Sequence, residues 1–332
     1  MEETAIAINP PQEEKPRRES VLQEFLREFP DVWKAIPNKG LFTSLFVVWI
    51  LLFEFVGTSI FGLYNSLIYC MELAYYVSED DVHGFIIPLV VLALFWWKRA
   101  ELKKLEARTW LPGFGIIVAA LVLHVVGYVV QQTRLSMIAM FLGFYGMIAV
   151  VWGPAIWKAS FFPMCLFAFA LPIASFAETL TFPLRLFATR ISTFFAADII
   201  GINIIQRGTQ IIDLNGNFQF EVAAACSGIR SLTAILALCT ISAFMSFKGP
   251  VRRLVMVGSA VPLAIIGNVL RLLALIIISD AFGQKKGEYF HDSTFFSLLP
   301  YIPAIAGIML IGNFLREKQK PKGFNDEVLG VE

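Results

Sequence analysis

Three side chains in the C-terminal third of this 332-residue sequence could together perform acyl transfer: Cys226, Arg271 and His291. Cys226 sits in "FEVAAACSGIRSL", where a polar stretch becomes a membrane-length apolar run, and Ser227 and Gly228 follow it. A cysteine that opens a helix is held nearer its thiolate form by the helix N-terminus. Since the thiolate is the nucleophile, and an ordinary thiol is only a few per cent ionised at neutral pH, that setting has a chemical use. The competing reading is an inert apolar cysteine, which is how Cys70, Cys165 and Cys239 read. Arg271, in "IIGNVLRLLALIII", lies about 8 residues, or ~12 Å, short of the outer end of its apolar block. That depth makes snorkelling a poor explanation, and an ionised residue inside a span points to a bundle interior or a wet cavity. Asn268, one turn earlier on the same face, either orients the guanidinium or bridges helices. His291, in "GEYFHDSTFF", precedes the last apolar block on the same side as Cys226; a solvated loop histidine is the alternative. His124 reads as mid-span, and His83, in the first outer loop, as the weaker competitor. Histidine can take a thiol proton and later protonate an amine leaving group. Arginine stays charged and can steady a thiolate or an acyl oxyanion. Arg230, four residues after Cys226, either adds charge near the thiolate or pairs with lipid headgroups.

These residues need elements to bring them together. Apolar blocks at 41–62, 84–97, 111–130, 136–152, 159–178, 228–247, 254–279 and 294–314 predict about eight transmembrane helices. A further segment, 182–200, carries Arg185, Arg190 and Asp198 and reads as interfacial or half-inserted, because a charge at the bilayer centre costs about 2.5–3.5 kcal/mol. Basic stretches at the N-terminal tail, 96–108, 248–253 and 316–322 predict one face, and 75–84 and 279–294 the other, so both termini lie inside. Between 201 and 225, "TQIIDL" and "FQFEV" flank "NGN" and predict a small β-hairpin outside, delivering the chain to Cys226. The fold class is therefore all-α and polytopic, with an extracytoplasmic hairpin before the cysteine helix. "VLQEFLREF" predicts a short amphipathic helix before Pro30, lying on the inner membrane surface or facing the core. The predicted organisation is a tail at 1–40, a membrane domain at 41–315 and a polar tail at 316–332. Glu54, inside the first block, faces a wet interior or stands near an interface.

Composition agrees. The sequence is 57% hydrophobic and 16% charged with 31 Phe, against about 45–50% and about 25% in soluble domains. A net charge of +1 gives no sign of nucleic-acid binding, and the four scattered cysteines form no CxxC, so neither a zinc site, nor another cofactor, nor a disulfide framework is expected. No signal peptide opens the sequence. A transporter or lipid-handling protein with Arg271 as an anion site is the other class, and it would often show internal repeats, of which none is evident.

The sequence resembles the exosortase/archaeosortase family in "ACSGIRSL" (225–232), "GNVLRL" (267–272) and "HD" (291–292), in this order, each beside a span. The stretch "GTQIIDL" and "VHGFIIPLVVLALFWWKR" (82–99) extend the likeness over most of 82–300. The resemblance implies a membrane-embedded cysteine protease/transpeptidase of the PEP-CTERM sorting type. Its substrates would be exported proteins with a C-terminal signal made of a motif, a transmembrane helix and a basic cluster. It implies Cys226 as nucleophile, with Arg271 and His291 as partners, and Arg230 within the "CSG.R" pattern. A lipid or polysaccharide acceptor, and the bacterial cytoplasmic membrane with the site facing outward, follow from the same likeness. Some archaeal relatives carry a second arginine where this sequence has His291.

Overall fold

The computed structural model describes residues 21–55, 58–60, 63–78, 80–172, 174–221, 229–293, 296 and 298–316. It is mostly helical. Three helical stretches are long and apolar enough to cross a membrane: Leu111–Val129, Thr133–Ala159 and Pro250–Phe282. Shorter apolar helices lie at Leu67–Val77, Val82–Trp97, Phe161–Ala170, Ser231–Ser246 and Tyr301–Leu315.

Helix α1 (Val21–Ala35) bends by 97° into α2 (Lys39–Phe55). The sequence places the end of α1 before Pro30, yet the helix runs through it. A proline there forfeits a backbone hydrogen bond and crowds the preceding turn. External anchors hold α1: Arg99 donates to Glu24 and Glu28, and Phe25 packs edge-on against Trp96 at 4.7 Å. The block at 41–62 is also cut short. Helix α2 ends at Phe55, and strands β1 (Thr58–Ile60) and β2 (Leu63–Asn65) pair antiparallel before α3 (Leu67–Val77). Glu54 is therefore exposed one residue from a helix end.

A 3₁₀ turn (Val82–Phe85) leads into α4 (Ile87–Trp97), so helical structure begins two residues ahead of the apolar block at 84–97. One helical turn, α5 (Arg99–Leu102), follows. Helices α6 (Phe114–Val129) and α7 (Thr133–Ala159) form a close antiparallel pair. Gly153, at φ 85° and ψ 179°, kinks α7 ahead of Pro154. The block predicted at 159–178 is not one helix. It forms α8 (Phe161–Cys165) and a 3₁₀ turn to Ala170, then Leu171 goes extended before Pro172, as a residue preceding proline prefers. A first core gathers Phe53, Leu67, Val91, Met137, Met147 and Leu166.

Helix α9 (Ala174–Phe194) runs on into a π-helical turn closed by Gly201 at φ 87°. The hairpin expected next is a three-stranded antiparallel sheet: β3 (Ile204–Arg207), β4 (Gln210–Asp213) and β5 (Gln219–Glu221). The predicted β4–β5 pairing is present, with Ile211 opposite Phe220. Buried Asp213 organises its turn by accepting from the Asn215 and Asn217 amides at 3.1 and 2.9 Å. Strand β3 was missed, although Gly208 at φ 63° between "IIQR" and "TQIID" is a hairpin signal in its own right.

Helix α10 (Ile229–Ser246) is followed by α11 (Pro250–Gly258), α12 (Ala260–Phe282), α13 (Gln284–Asp292) and α14 (Tyr301–Leu315). Helix α12 is central here, with α9, α10, α13 and α14 all packed on it. A second core joins Ile204, Ile211 and Phe218 of the sheet region to Val269, Leu272 and Ile276 of α12.

Candidate active site

The site is built around the middle of α12 and the elements packed on it. Helix α10 lies antiparallel to α12: Cys239 Sγ is 4.0 Å from Ser259 Oγ, and Ile235 shares a buried cluster with Leu263 and Ala264. Equal rise along the two helices then brings Ile229, where α10 begins, to about the height of Val269. Arg271 stands half a turn further along. It thus stands nearly level with the start of α10, just after the position where the sequence puts the cysteine.

Two more elements converge there. Strand β5 ends at Glu221, and its Phe220 packs into the cluster on α12. The Gln219 amide donates to Gln284 of α13 at 3.4 Å. Helix α13 turns back along α12 at Gly283 (φ 85°, ψ 164°), and Gly287 fits against Ser279, where an added Cβ would strike the serine. The return of α13 carries the backbone of His291 in the direction of Arg271. His291 is therefore helical, not a loop residue as the sequence suggests; its side chain, like those of Arg230 and Asp292, is outside the described part. Cys226, Ser227 and Gly228 lie outside the described residues.

Arg271 is half-buried, and its Nε is buried with no hydrogen-bond partner among the described residues. An unsatisfied buried donor costs about 1–3 kcal/mol, more on a charged group. Such a donor is suited to an acceptor that arrives with the substrate. Asn268 is 4% exposed, on the same flank. Gly267 beside it lets α14 close in: an added Cβ would sit 2.6 Å from the Pro300 carbonyl oxygen. The "GN" before the arginine thus marks a close helix contact, a role that sequence reasoning did not assign.

Helix α9 supplies a polar contact that was also missed. Ser192 Oγ donates to the Val269 carbonyl at 3.3 Å, and Arg185 on the same face is 6% exposed. Arg185 is packed inside the protein rather than at a water interface, whereas Arg190 is exposed. The other histidines are elsewhere. His83 Nδ1 is 2.9 Å from the Asp80 carbonyl, in the turn packed on α3, α4 and the 166–170 segment. His124 is buried in α6 with its ring 4.5 Å from that of Phe53. No group of three metal-ligating side chains occurs among the described residues.

Over residues 75–310 the sequence matches the family of transmembrane exosortases. The matched span runs from before α4 into α14 and includes every candidate residue. The chain belongs to this family. Comparison with curated proteins and with solved structures gave no significant match. The region matched in this exosortase includes the sheet, α12 and α13, while α1 and α2 lie outside it.

Proposed function

We propose that this exosortase is a membrane-embedded cysteine protease/transpeptidase that cleaves the C-terminal sorting signal of exported proteins. Family membership supports a sorting transpeptidase in general. Supporting the residue assignment is one observation: a buried, unsatisfied Arg271 Nε at the height where α10 begins. In this reading His291 takes the Cys226 thiol proton, and the thiolate attacks the scissile carbonyl. Arg271 donates to the oxyanion as it forms, with Asn268 holding the guanidinium in place. Protonated His291 then gives its proton to the leaving amine, and the new C-terminus remains as a thioester on Cys226. A lipid or polysaccharide acceptor, deprotonated by His291, attacks the thioester carbonyl and releases the thiolate. Arg230, Ser227 and Gly228 are the supporting residues of this assignment.

The same reading sets the enzyme in the bacterial cytoplasmic membrane, crossing eight times, with both termini inside and the site outward. Packing supports the parity. Phe162 stacks on Phe244 at 4.1 Å, so α7 and α10 end on one side. Arg134, in the first turn of α7, donates to the Pro172 carbonyl at 2.7 Å on the opposite side. The sheet beyond α9 meets α13 past the far end of α12, on that same opposite side.

Single alanine substitutions of the four cysteines, scored by maturation of a signal-bearing substrate at matched abundance, test the proposal. Only Cys226→Ala should abolish maturation. Wild-type enzyme starved of acceptor should carry a hydroxylamine-labile adduct on the peptide containing Cys226. Normal maturation by Cys226→Ala would overturn the assignment.

A further inference from the structure

Helix α1 lies outside the family match and carries an arrangement of charge that the reaction does not use. Its acidic residues share one flank: Glu24 and Glu28 are one turn apart, and Asp31 is next in the same row. Arg99 takes up the first two. Its Nη2 donates to Glu24 Oε1 at 2.6 Å and to Glu28 Oε2 at 2.8 Å, Nε donates to Glu28 Oε2 at 3.0 Å, and Nη1 caps the Trp96 carbonyl at 3.2 Å. The guanidinium also lies over the Trp96 ring, 4.4 Å from its centre. This fork holds the Glu28 carboxyl below its usual range, mainly through the hydrogen bond from Arg99.

The clamp leaves a particular surface uncovered. Leu26, Phe29 and Trp33, at helical spacing, are 63%, 43% and 46% exposed. Beyond this stripe come Arg27 and Lys34, seven residues apart and so on one face; Arg27 Nη2 lies 3.8 Å from Glu28 Oε1, at the edge of the clamp. The Arg27 side chain is 61% exposed. Lys39, at the start of α2, donates to the Trp33 carbonyl at 3.1 Å and lies over its ring. An apolar stripe edged with Arg27, Lys34 and Lys39, with Glu24, Glu28 and Asp31 on the flank away from it, is complementary to a negatively charged bilayer surface. The geometry has the same sense. Helix α1 stands at 97° to α2, and Trp152 Nε1 fixes the bend by donating to the Pro37 carbonyl at 2.8 Å. A helix perpendicular to a membrane span lies in the membrane plane.

We infer that α1 is a binding surface for anionic lipid headgroups, with Leu26, Phe29 and Trp33 in the acyl boundary and Arg27, Lys34 and Lys39 on the phosphates. The Arg99 fork turns Glu24 and Glu28 toward Trp96, offsets part of their charge and fixes the helix at the right rotation.

Full-length protein in lipid nanodiscs tests this by amide hydrogen exchange over residues 21–35. Discs contain phosphatidylcholine alone or phosphatidylcholine with phosphatidylglycerol. Anionic lipid should slow exchange in α1. Each basic side chain at a charged surface contributes about fivefold, so an R27Q/K34Q variant should lose up to roughly 30-fold of that slowing while matching wild type in the neutral discs. High salt should erase the lipid dependence in wild type. Equal exchange in both lipids, no salt effect, or an R27Q/K34Q variant that keeps the dependence would each overturn the inference. Reproducing the slowing with inorganic phosphate in neutral discs would assign a free-anion site instead and also overturn it.

Discussion

Replacing Gly267 by alanine adds one methyl group at the contact between α12 and α14, immediately before Asn268 and one turn before Arg271. The new Cβ would lie 2.6 Å from the Pro300 carbonyl oxygen, 2.9 Å from its Cα and 3.0 Å from its Cβ. Two of these are backbone atoms, which no rotamer change can clear. Restoring ordinary contact requires the first turn of α14 to move by about 0.8 Å. Overpacking of this kind costs ~1–3 kcal/mol, while alanine in place of glycine inside a helix returns about 1 kcal/mol. The net expectation is a loss of ~0–2 kcal/mol. Gly258, also helical, has nothing within 4 Å of an added Cβ, so Gly258→Ala keeps the whole propensity gain of up to ~1 kcal/mol. Thermal unfolding of both variants in the same detergent should therefore move in opposite directions, or at least separate by a few degrees. Displacing Pro300 also pulls on the segment that leads back to His291, so Gly267→Ala should mature substrate more slowly per molecule. If Gly267→Ala were stabilised as much as Gly258→Ala, the close contact would be refuted, and with it the reason for a glycine before the arginine.

Arg271→Lys should be nearly as damaging as Arg271→Ala, because a flexible point charge cannot offer two hydrogen bonds in fixed geometry; a fully active, equally abundant lysine variant would show that charge alone suffices. Reporter fusions after residue 250 and after residue 285 should report inside and outside respectively, and the reverse pattern would put the site on the wrong face. The α1 clamp should respond to acid. Arg99 lowers the Glu28 pKa in the folded chain, so its contribution is complete above the ordinary carboxylate pKa and is lost as pH falls through the lower folded value. Exchange over 21–35, corrected for its intrinsic pH dependence, should be flat from neutrality to about pH 5 and accelerate below about pH 4; acceleration near pH 6 would point to another group.

The helical membrane fold and the positions of α6, α7, α10 and α12 were legible because long apolar runs with few charges have one common solution in lipid. The β4–β5 turn was legible because "DLNGN" carries its own geometry in Asp213 and Gly216. Other features depend on partners distant in sequence. Pro30 reads as a stop signal, and only Arg99, 69 positions later, explains why α1 continues past it. His291 reads as a loop residue since "GQKKGEYFHD" is polar all round, and its helix depends on Ser279 and the sheet for support. The relation of Arg271 to the start of α10 was hidden for the same reason. Sequence gives depth along one helix, and only the packed neighbour gives the register between two. Residues 222–228, with the cysteine, lie outside the described residues, so that part of the site rests on sequence.

Two helical segments shorter than the hydrocarbon layer is thick are also neighbours. The Val82–Trp97 stretch is about 24 Å long at 1.5 Å per residue, and Phe161–Ala170 is about 15 Å, beside a hydrocarbon layer of about 30 Å. They pack against each other, and α4 turns Leu89 and Leu92 outward. The long α7, about 40 Å by the same measure, backs the 161–170 segment, its Phe141 stacked on Phe167 at 4.5 Å. On the flank of α4, lipid tails therefore meet an apolar wall several ångströms shorter than themselves. Mismatch of this sign is relieved by thinning the bilayer locally, at fractions of a kcal/mol per Å. The protein imposes its own thickness on that side of the membrane, and its preference among lipids follows acyl chain length as well as headgroup charge.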